Sequence, residues 1–420
     1  MNPRAPRPFG PRAHRHAEPH PHLRHHESEY AVTVSPEETS TAGDALRRTL
    51  GVSRRRFLST CTATAAAAVA APVFGASPAL ARTEAEPETA VDHGRSALVP
   101  PDRRGLILYT VRDAVARDPL ATDLPSGFRE VFRQLARYGY RQVEFAGYRQ
   151  HANAPGGADL GTVEGARLMR SWLDEYGLRA QGSHGFIPSS WPLTPADLDA
   201  FRRALEIANI LGMEHMGTGG DPTGSPYRAD WDVAADKWNT LGALAAREGI
   251  KLYTHNHDSA YDFLLDGGPL DAQGRPTRSS GIRKLEYFLQ ISDPRSVYLE
   301  LDVFWAHVAQ YKFHTHTAHD GSRQEQIFDP AGLVVRHTPR FPLFHAKDGV
   351  INPQSGLGYD MVPFGTGDID YRRFFTRVGA KNRHHPMVEQ DTAPSATVPG
   401  QSLEFARVGY DNLAALRAHR

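Results

Sequence analysis

The sequence has almost no cysteine, no excess of either charge, and no apolar run long enough to cross a membrane. Cys61 is the single cysteine in 420 residues, and it falls in a stretch read below as a removable leader. Beyond that leader there is no thiol for a disulfide, so any metal would be held by nitrogen and oxygen alone. Lys and Arg total 48, as do Asp and Glu. That balance gives no basic surface to attract nucleic acid or anionic lipid, and neither partner is expected. Apolar residues make up 40% of the chain, enough for a sizeable core. The length fits two ordinary domains or one large α/β barrel.

What is present begins with an address. Residues 53–61 read Ser-Arg-Arg-Arg-Phe-Leu-Ser-Thr-Cys, followed by a small-apolar run from Thr62 to Phe74 and by Ala79-Leu80-Ala81. Paired arginines, a modest apolar stretch and an A-x-A site resemble a twin-arginine (Tat) export signal. The run is Ala-rich and shorter than the roughly 20 residues of a spanning helix, which argues against a stable membrane anchor. Cys61 precedes it, so a lipoprotein signal is not expected either. The Tat translocon is thus an expected partner, with residence in the periplasm, the cell envelope or the medium. Residues 1–52 read as a disordered leader, with His14, His16, His20, His22, His25 and His26 as a less favoured metal-binding tract. Residues 82–104 read as a polar linker.

From residue 105 to 420 short apolar runs alternate with amphipathic segments. Strands are predicted at 105–110, 142–146, 179–184, 214–217, 250–254, 297–301, 342–344 and 386–388. Between them Phe128, Val131, Phe132 and Leu135 recur at helical spacing, as do Ala234, Trp238, Leu241 and Ala245. Thr162 and Thr194-Pro195 are helix-start signals, and later helices are expected from about Tyr371 and Ser402. Eight strand–helix units predict a single-domain α/β protein, a (β/α)8 TIM barrel. A doubly wound sheet would want a Gly-rich turn after the first strand, and none is there. Residues 306–340 break the rhythm and are read as a long loop between strands six and seven, with room for some helix, lying over the catalytic face. Its five histidines (His307, His314, His316, His319, His337) invite a second metal, although their spacing is irregular.

Barrel enzymes carry their chemistry at the carboxyl ends of the strands. Strand five ends in His255-Asn256-His257-Asp258, strand six in Asp302, strand seven in His345-Ala346-Lys347-Asp348 and strand eight in Glu389-Gln390-Asp391. Any one of these has a bland reading, Asp302 as a helix cap or His345 as a core histidine. Four successive tips with imidazoles and carboxylates point instead to a divalent ion, Mn2+, Zn2+, Co2+ or Fe2+.

The segments Leu-Tyr-Thr-Val-Arg-Asp (108–113), Gly-Tyr-Arg-Gln-Val-Glu-Phe-Ala-Gly (139–147), His-Asn-His-Asp (255–258), Leu-Glu-Leu-Asp-Val-Phe-Trp (299–305), His-Ala-Lys-Asp (345–348), Gly-Thr-Gly-Asp-Ile-Asp (365–370) and Glu-Gln-Asp (389–391) resemble the sugar phosphate isomerase/epimerase group of xylose-isomerase-like TIM barrels. The resemblance spans roughly 105–417. It implies one divalent ion, most often manganese, with Asp302, His345 and Glu389 on matching ligand positions. The fourth position, commonly glutamate in the epimerases, is here His255. His257 shares its strand parity and could be the ligand instead, leaving His255 as a base.

The implied chemistry is proton abstraction beside a carbonyl, with Glu389 or a histidine of the 255/257 pair as base and Lys347 steadying charge on oxygen or protonating a leaving group. Glu144, His184, Tyr109 and Trp305 are candidate contacts for a carbohydrate, the last two through ring faces. An isomerase or epimerase is the leading expectation. A lyase of the inosose-dehydratase or 3-keto-glycoside-eliminating kind is the alternative, and a secreted sugar-binding barrel without catalysis the second. A DNA-repair endonuclease fits poorly, for want of positive charge and of ligands for a three-metal cluster.

Overall fold

The computed structural model describes residues 96–379 and 384–418. Residues 1–95, which hold the expected leader and export signal and the first part of the expected linker, lie outside the described residues. Eight parallel strands run in one sheet: β1 (Gly105–Ile107), β2 (Gln142–Phe145), β3 (Arg179–Ser183), β4 (His215–Thr218), β5 (Lys251–Thr254), β6 (Val297–Asp302), β7 (Leu343–Ala346) and β8 (His385–Val388). Their order is β3-β2-β1-β8-β7-β6-β5-β4. The two ends meet through a parallel bridge from His184 to Gly217, where Gly185 N donates to Gly217 O at 2.8 Å. The sheet is thus a nearly closed barrel. A side chain at Gly217 would strike the Tyr253 carbonyl, so only glycine lets the backbones come this close. β1 stops at Ile107, and Leu108–Val111 turns into a 3-10 helix, shorter than the predicted strand.

Strand parity builds the two core layers. Alternate side chains of a strand face opposite sides. Val297, Leu299 and Leu301 of β6 face the helical layer and join the main core, while Ile107, Tyr253, Leu343 and Met387 pack as a separate cluster in the lumen. The predicted helical faces are those that are buried: Phe128, Val131, Phe132 and Leu135, then Ala234, Trp238, Leu241 and Ala245. Helix starts follow the local signals. Thr162 accepts from Gly165 N, and Thr194 forms a reciprocal capping box with Asp197 just ahead of Pro195, each satisfying amides that the first turn leaves unpaired. No described helix is long and apolar enough to cross a membrane.

The connection after β6 carries the helix the sequence left room for, and a hairpin besides. Asp302 caps a helix, Val303–Lys312, directly at the strand's end. A small hairpin (Thr315–Thr317 with Arg323–Glu325) follows, then the helix Pro330–Arg336. Its histidines are dispersed: His307 bonds the Val303 carbonyl, His314 that of Tyr311, and His319 pairs with Asp266. None belongs to a group placed to share a metal among the described residues.

The amino-terminal end of the barrel has its own titratable pair. His215 is buried, its Nδ1 lying 3.1 Å from Gln181 Nε2, and its ring is 6.1 Å from that of His385. Burial and then Lys251 push the His215 pKa down to about 4. An unfolded chain takes up this proton near pH 6.5 and the folded one near pH 4, so this contribution is complete above 6.5 and is lost as pH falls toward 4. It amounts to on the order of 3 kcal/mol. His215→Gln is therefore expected to flatten the loss of stability between pH 6.5 and 4. Urea midpoints of the two proteins at pH 7 and pH 4.5 test this, and equal acid losses would refute it.

Candidate functional site

Strand parity also delivers the site. Tyr253, His255 and His257 share one side of β5 and its extension, Glu300 and Asp302 one side of β6, His345 and Lys347 one side of β7, and Glu389 and Asp391 one side of β8. They meet above the lumen core, at the carboxyl ends of the strands. Asp302, His345 and Glu389 form one compact ligand-type group, and His184, His255, Glu300 and His345 a second.

The first group faces a common point. Asp302 Oδ2 lies 3.9 Å from His255 Nε2 and 3.9 Å from His345 Nδ1, and His345 Nδ1 lies 2.7 Å from Glu389 Oε2. Asp302 Oδ2, His345 Nδ1 and Glu389 Oε2 are buried and make no well-formed hydrogen bond. Buried polar atoms seldom stay unsatisfied, and a convergent set of lone pairs is what a cation needs. The donors present therefore fit a divalent ion. Two imidazoles and two carboxylates are a mixed N/O set, and such a set suits Mn2+, Zn2+, Co2+ or Fe2+.

Lys347 occupies the same neighbourhood. Its Nζ is 2.9 Å from Asp302 Oδ2, 3.0 Å from Glu389 Oε2 and 2.9 Å from Asp391 Oδ2. Only the contact with Asp391 has hydrogen-bond geometry; the other two are contacts of charge. The ammonium also lies 5.4 Å from the Trp305 ring, and Tyr371 OH donates to the Lys347 carbonyl at 2.5 Å. Next in sequence, Asp348 is a loop pin. Its carboxylate accepts from Gly365 N and Gly367 N at 2.9 and 3.0 Å, which is how the Gly-Thr-Gly-Asp turn is folded under the site.

The second group lies beneath the first. Glu300 Oε2 is 3.1 Å from His255 Nδ1, 3.1 Å from His345 Nε2 and 3.3 Å from His184 Nε2. Glu144 Oε2 is 3.0 Å from His345 Nε2, and the other Glu144 oxygen accepts from Tyr253 OH. Glu144 is wholly buried, both its oxygens held by protein groups. The sequence reading missed Glu300 because it took only the last residue of each strand. The signal was there: a carboxylate flanked by the outward-facing Leu299 and Leu301, on the same face as Asp302.

These contacts sort the charges. Burial would lower the His345 pKa, but Glu300, Glu389 and Glu144 hold its imidazolium well above the usual range. Burial also opposes the Lys347 charge, and Asp302, Glu389 and Asp391 outweigh it. Glu389 stays ionised against burial, because His345 and Lys347 face it. Burial pushes Asp302 up to about 6, with Lys347 pulling the other way. His255 and His257 are both lowered by burial, His257 to about 4. Two neutral imidazoles therefore stand beside anionic carboxylates, a setting that attracts a cation.

The remaining candidates frame this centre. Trp305 sits on the first turn of the Asp302-capped helix, its amide donating to Asp302 Oδ1 at 3.0 Å, and its ring is 5.4 Å from that of His257. His184 directly follows β3 and is partly exposed. Tyr109 is 39% exposed and lies 4.0 Å under the Arg112 guanidinium, which donates to the Asp391 carbonyl at 2.9 Å. The structure thus gathers His184, His255, His257, Asp302, Trp305, His345, Lys347 and Glu389 around one centre. It sets Glu144 below them and Tyr109 at the rim beside β8.

Residues 132–407 match the family described as the xylose isomerase-like TIM barrel. Two solved sugar phosphate isomerase/epimerases from Parabacteroides distasonis ATCC 8503 share the architecture. One is 22% identical, covers 78% of this chain and 98% of its own, and superposes with a TM-score of 0.53. The second is 19% identical, covers 74% and 96%, and gives 0.51. At such identities the likeness shows the fold alone. No curated protein matches the sequence.

Proposed function

The chain belongs to the xylose isomerase-like TIM barrel family, and from that premise we propose that it is a metal-dependent isomerase or epimerase of a carbohydrate. One observation carries the reading: Asp302 Oδ2, His345 Nδ1 and Glu389 Oε2 converge on one buried point, all three without a hydrogen bond, and His255 Nε2 stands 3.9 Å from Asp302 Oδ2. These four are the proposed ligands, with Mn2+ the first candidate and Zn2+, Co2+ or Fe2+ the others. His255 is preferred to His257 as ligand because its Nδ1 is anchored on Glu300, as metal-bound imidazoles usually are. A divalent ion here would polarise a carbonyl and a neighbouring hydroxyl, making the carbon between them acidic.

The protein's own groups do the rest. Glu389, ionised, accepts the proton from that carbon, and neutral His257 is the second base within the site. Lys347 holds its own proton too firmly to serve as an acid, so its role is to steady negative charge growing on the substrate oxygen. Trp305 and Tyr109 offer ring faces to a sugar, and His184 a hydrogen bond. The second reading, a lyase acting on a keto-sugar or 3-keto-glycoside, is favoured by His255 itself, which leaves the site one carboxylate short of a symmetric acid–base pair.

The test is metal content by elemental mass spectrometry together with a screen of ketosugars and 3-keto-glycosides in deuterated water. One equivalent of metal and a mass gain of one deuterium, with no other change, are expected. Loss of a leaving group would move the assignment to the lyase. Neither metal nor turnover would leave a sugar-binding barrel. Export through the Tat translocon belongs to the same proposal, since residues 53–81 carry its signal. Arg54→Lys with Arg55→Lys is expected to hold the protein in the cytoplasm, and unchanged export would refute that part.

A further inference from the structure

We infer that Glu300 is a positioning residue that fixes which ring nitrogen each of the two ligand histidines presents to the metal. The inference rests on the proposed metal site. A single oxygen, Glu300 Oε2, lies within 3.3 Å of three imidazole nitrogens: His255 Nδ1, His345 Nε2 and His184 Nε2. An ionised carboxylate oxygen repels a lone pair, so each nitrogen facing it carries its hydrogen; His184 and His255 donate theirs to Glu300, and His345 Nε2, 3.1 Å from the same oxygen, directs its own at Glu144. The lone pair is then left on His255 Nε2 and, once a metal displaces the second proton of the His345 imidazolium, on His345 Nδ1, opposite nitrogens on the two rings. Those are the two atoms that lie 3.9 Å from Asp302 Oδ2. The rings are 4.6 Å apart and tilted by 46°, so a wrong tautomer or a flipped ring would turn an N–H toward the ion.

Glu300 is suited to this by its place in the chain. It lies inside β6, two residues before Asp302, and its side chain is fully buried. The strand therefore holds the anchoring carboxylate and a ligand carboxylate in one rigid register. Glu144 shares the task at His345, where it is the carboxylate that accepts the Nε2 hydrogen while Glu300 adds a charge contact at 3.1 Å. It has no contact with His255, and Tyr253 takes its other oxygen. One anionic oxygen facing both rings is what distinguishes Glu300.

The experiment titrates Mn2+ into chelator-stripped full-length protein, with free Mn2+ read by electron paramagnetic resonance. Glu300→Gln is expected to weaken Mn2+ binding by about 10- to 100-fold, with one equivalent still bound at saturation. The amide oxygen can take the place of Oε2, but without the negative charge it holds the facing N–H groups less firmly. Glu144→Gln is expected to weaken binding less, and Glu300→Asp, which keeps the charge, to recover part of the loss. Circular dichroism melting of the metal-free proteins separates affinity from folding; if the Gln variant does not fold, the Asp variant carries the comparison. Equal affinity for wild type and Glu300→Gln would overturn the inference while leaving the metal site intact. A fall from two bound ions to one would overturn it differently, by making Glu300 a ligand. No Mn2+ binding by the wild type would overturn this inference and the proposed function together.

Discussion

Asp302→Asn is expected to strip the site of its metal and to lower kcat/KM by about a thousandfold or more. Asp302 Oδ2 is the atom shared by the ligand set, 3.9 Å from a nitrogen of each histidine and 2.9 Å from Lys347. Lewis-acid stabilisation is worth several kcal/mol, and each 1.36 kcal/mol is tenfold in rate, so its loss gives about three orders of magnitude. Asparagine is the informative replacement. Asp302 Oδ1 also caps the helix Val303–Lys312 through Trp305 N, and an amide oxygen can keep that bond. Alanine would remove the cap as well, at a cost of about 1 kcal/mol. Elemental analysis and deuterium exchange on the screened substrate measure the effect. An asparagine variant that keeps its metal and its rate would rule out Asp302 as a ligand.

The second large effect is expected from Lys347→Met. The ammonium is buried within 3.0 Å of oxygens of Asp302, Glu389 and Asp391. Methionine fills similar volume but leaves those carboxylates without their counter-charge. Removing one partner of a buried ion pair typically costs about 3–5 kcal/mol, and the metal-free variant should melt correspondingly lower. A divalent ion brings charge to two of the same oxygens, so adding Mn2+ should raise the variant's melting temperature more than that of the wild type. The measurement is thermal unfolding of both proteins in chelator and in excess Mn2+. An unchanged melting temperature in chelator would mean that the lysine does not hold these carboxylates together.

Much of this was legible in the chain because it rests on local rules. Strand and helix periods, Thr caps and Pro195 act over a few residues, and they placed all eight barrel strands to within a few positions. Reading strand ends was also a local operation, and it named Asp302, His345, Lys347 and Glu389, which the structure brings together. Where local signals mixed, the reading was coarser. Residues 303–312 form a helix started by the same Asp302 that faces the site; cap and ligand are alternative readings of a strand-end aspartate in sequence, and in the fold Oδ1 caps the helix while Oδ2 faces the site.

The sequence by itself thus determined the barrel, the face on which the chemistry sits, and the types of group available there. It could do so because period and parity are properties of one strand at a time. Which groups stand together was decided only by closure of the sheet. That closure set Glu300 against His184, His255 and His345, from three other strands, put Glu144 under His345, and brought Lys347 between Asp302 and Asp391. Those contacts join residues as far as 201 positions apart. No spacing along the chain encodes them, because the curvature and register of the whole barrel determine which strand tips face one another.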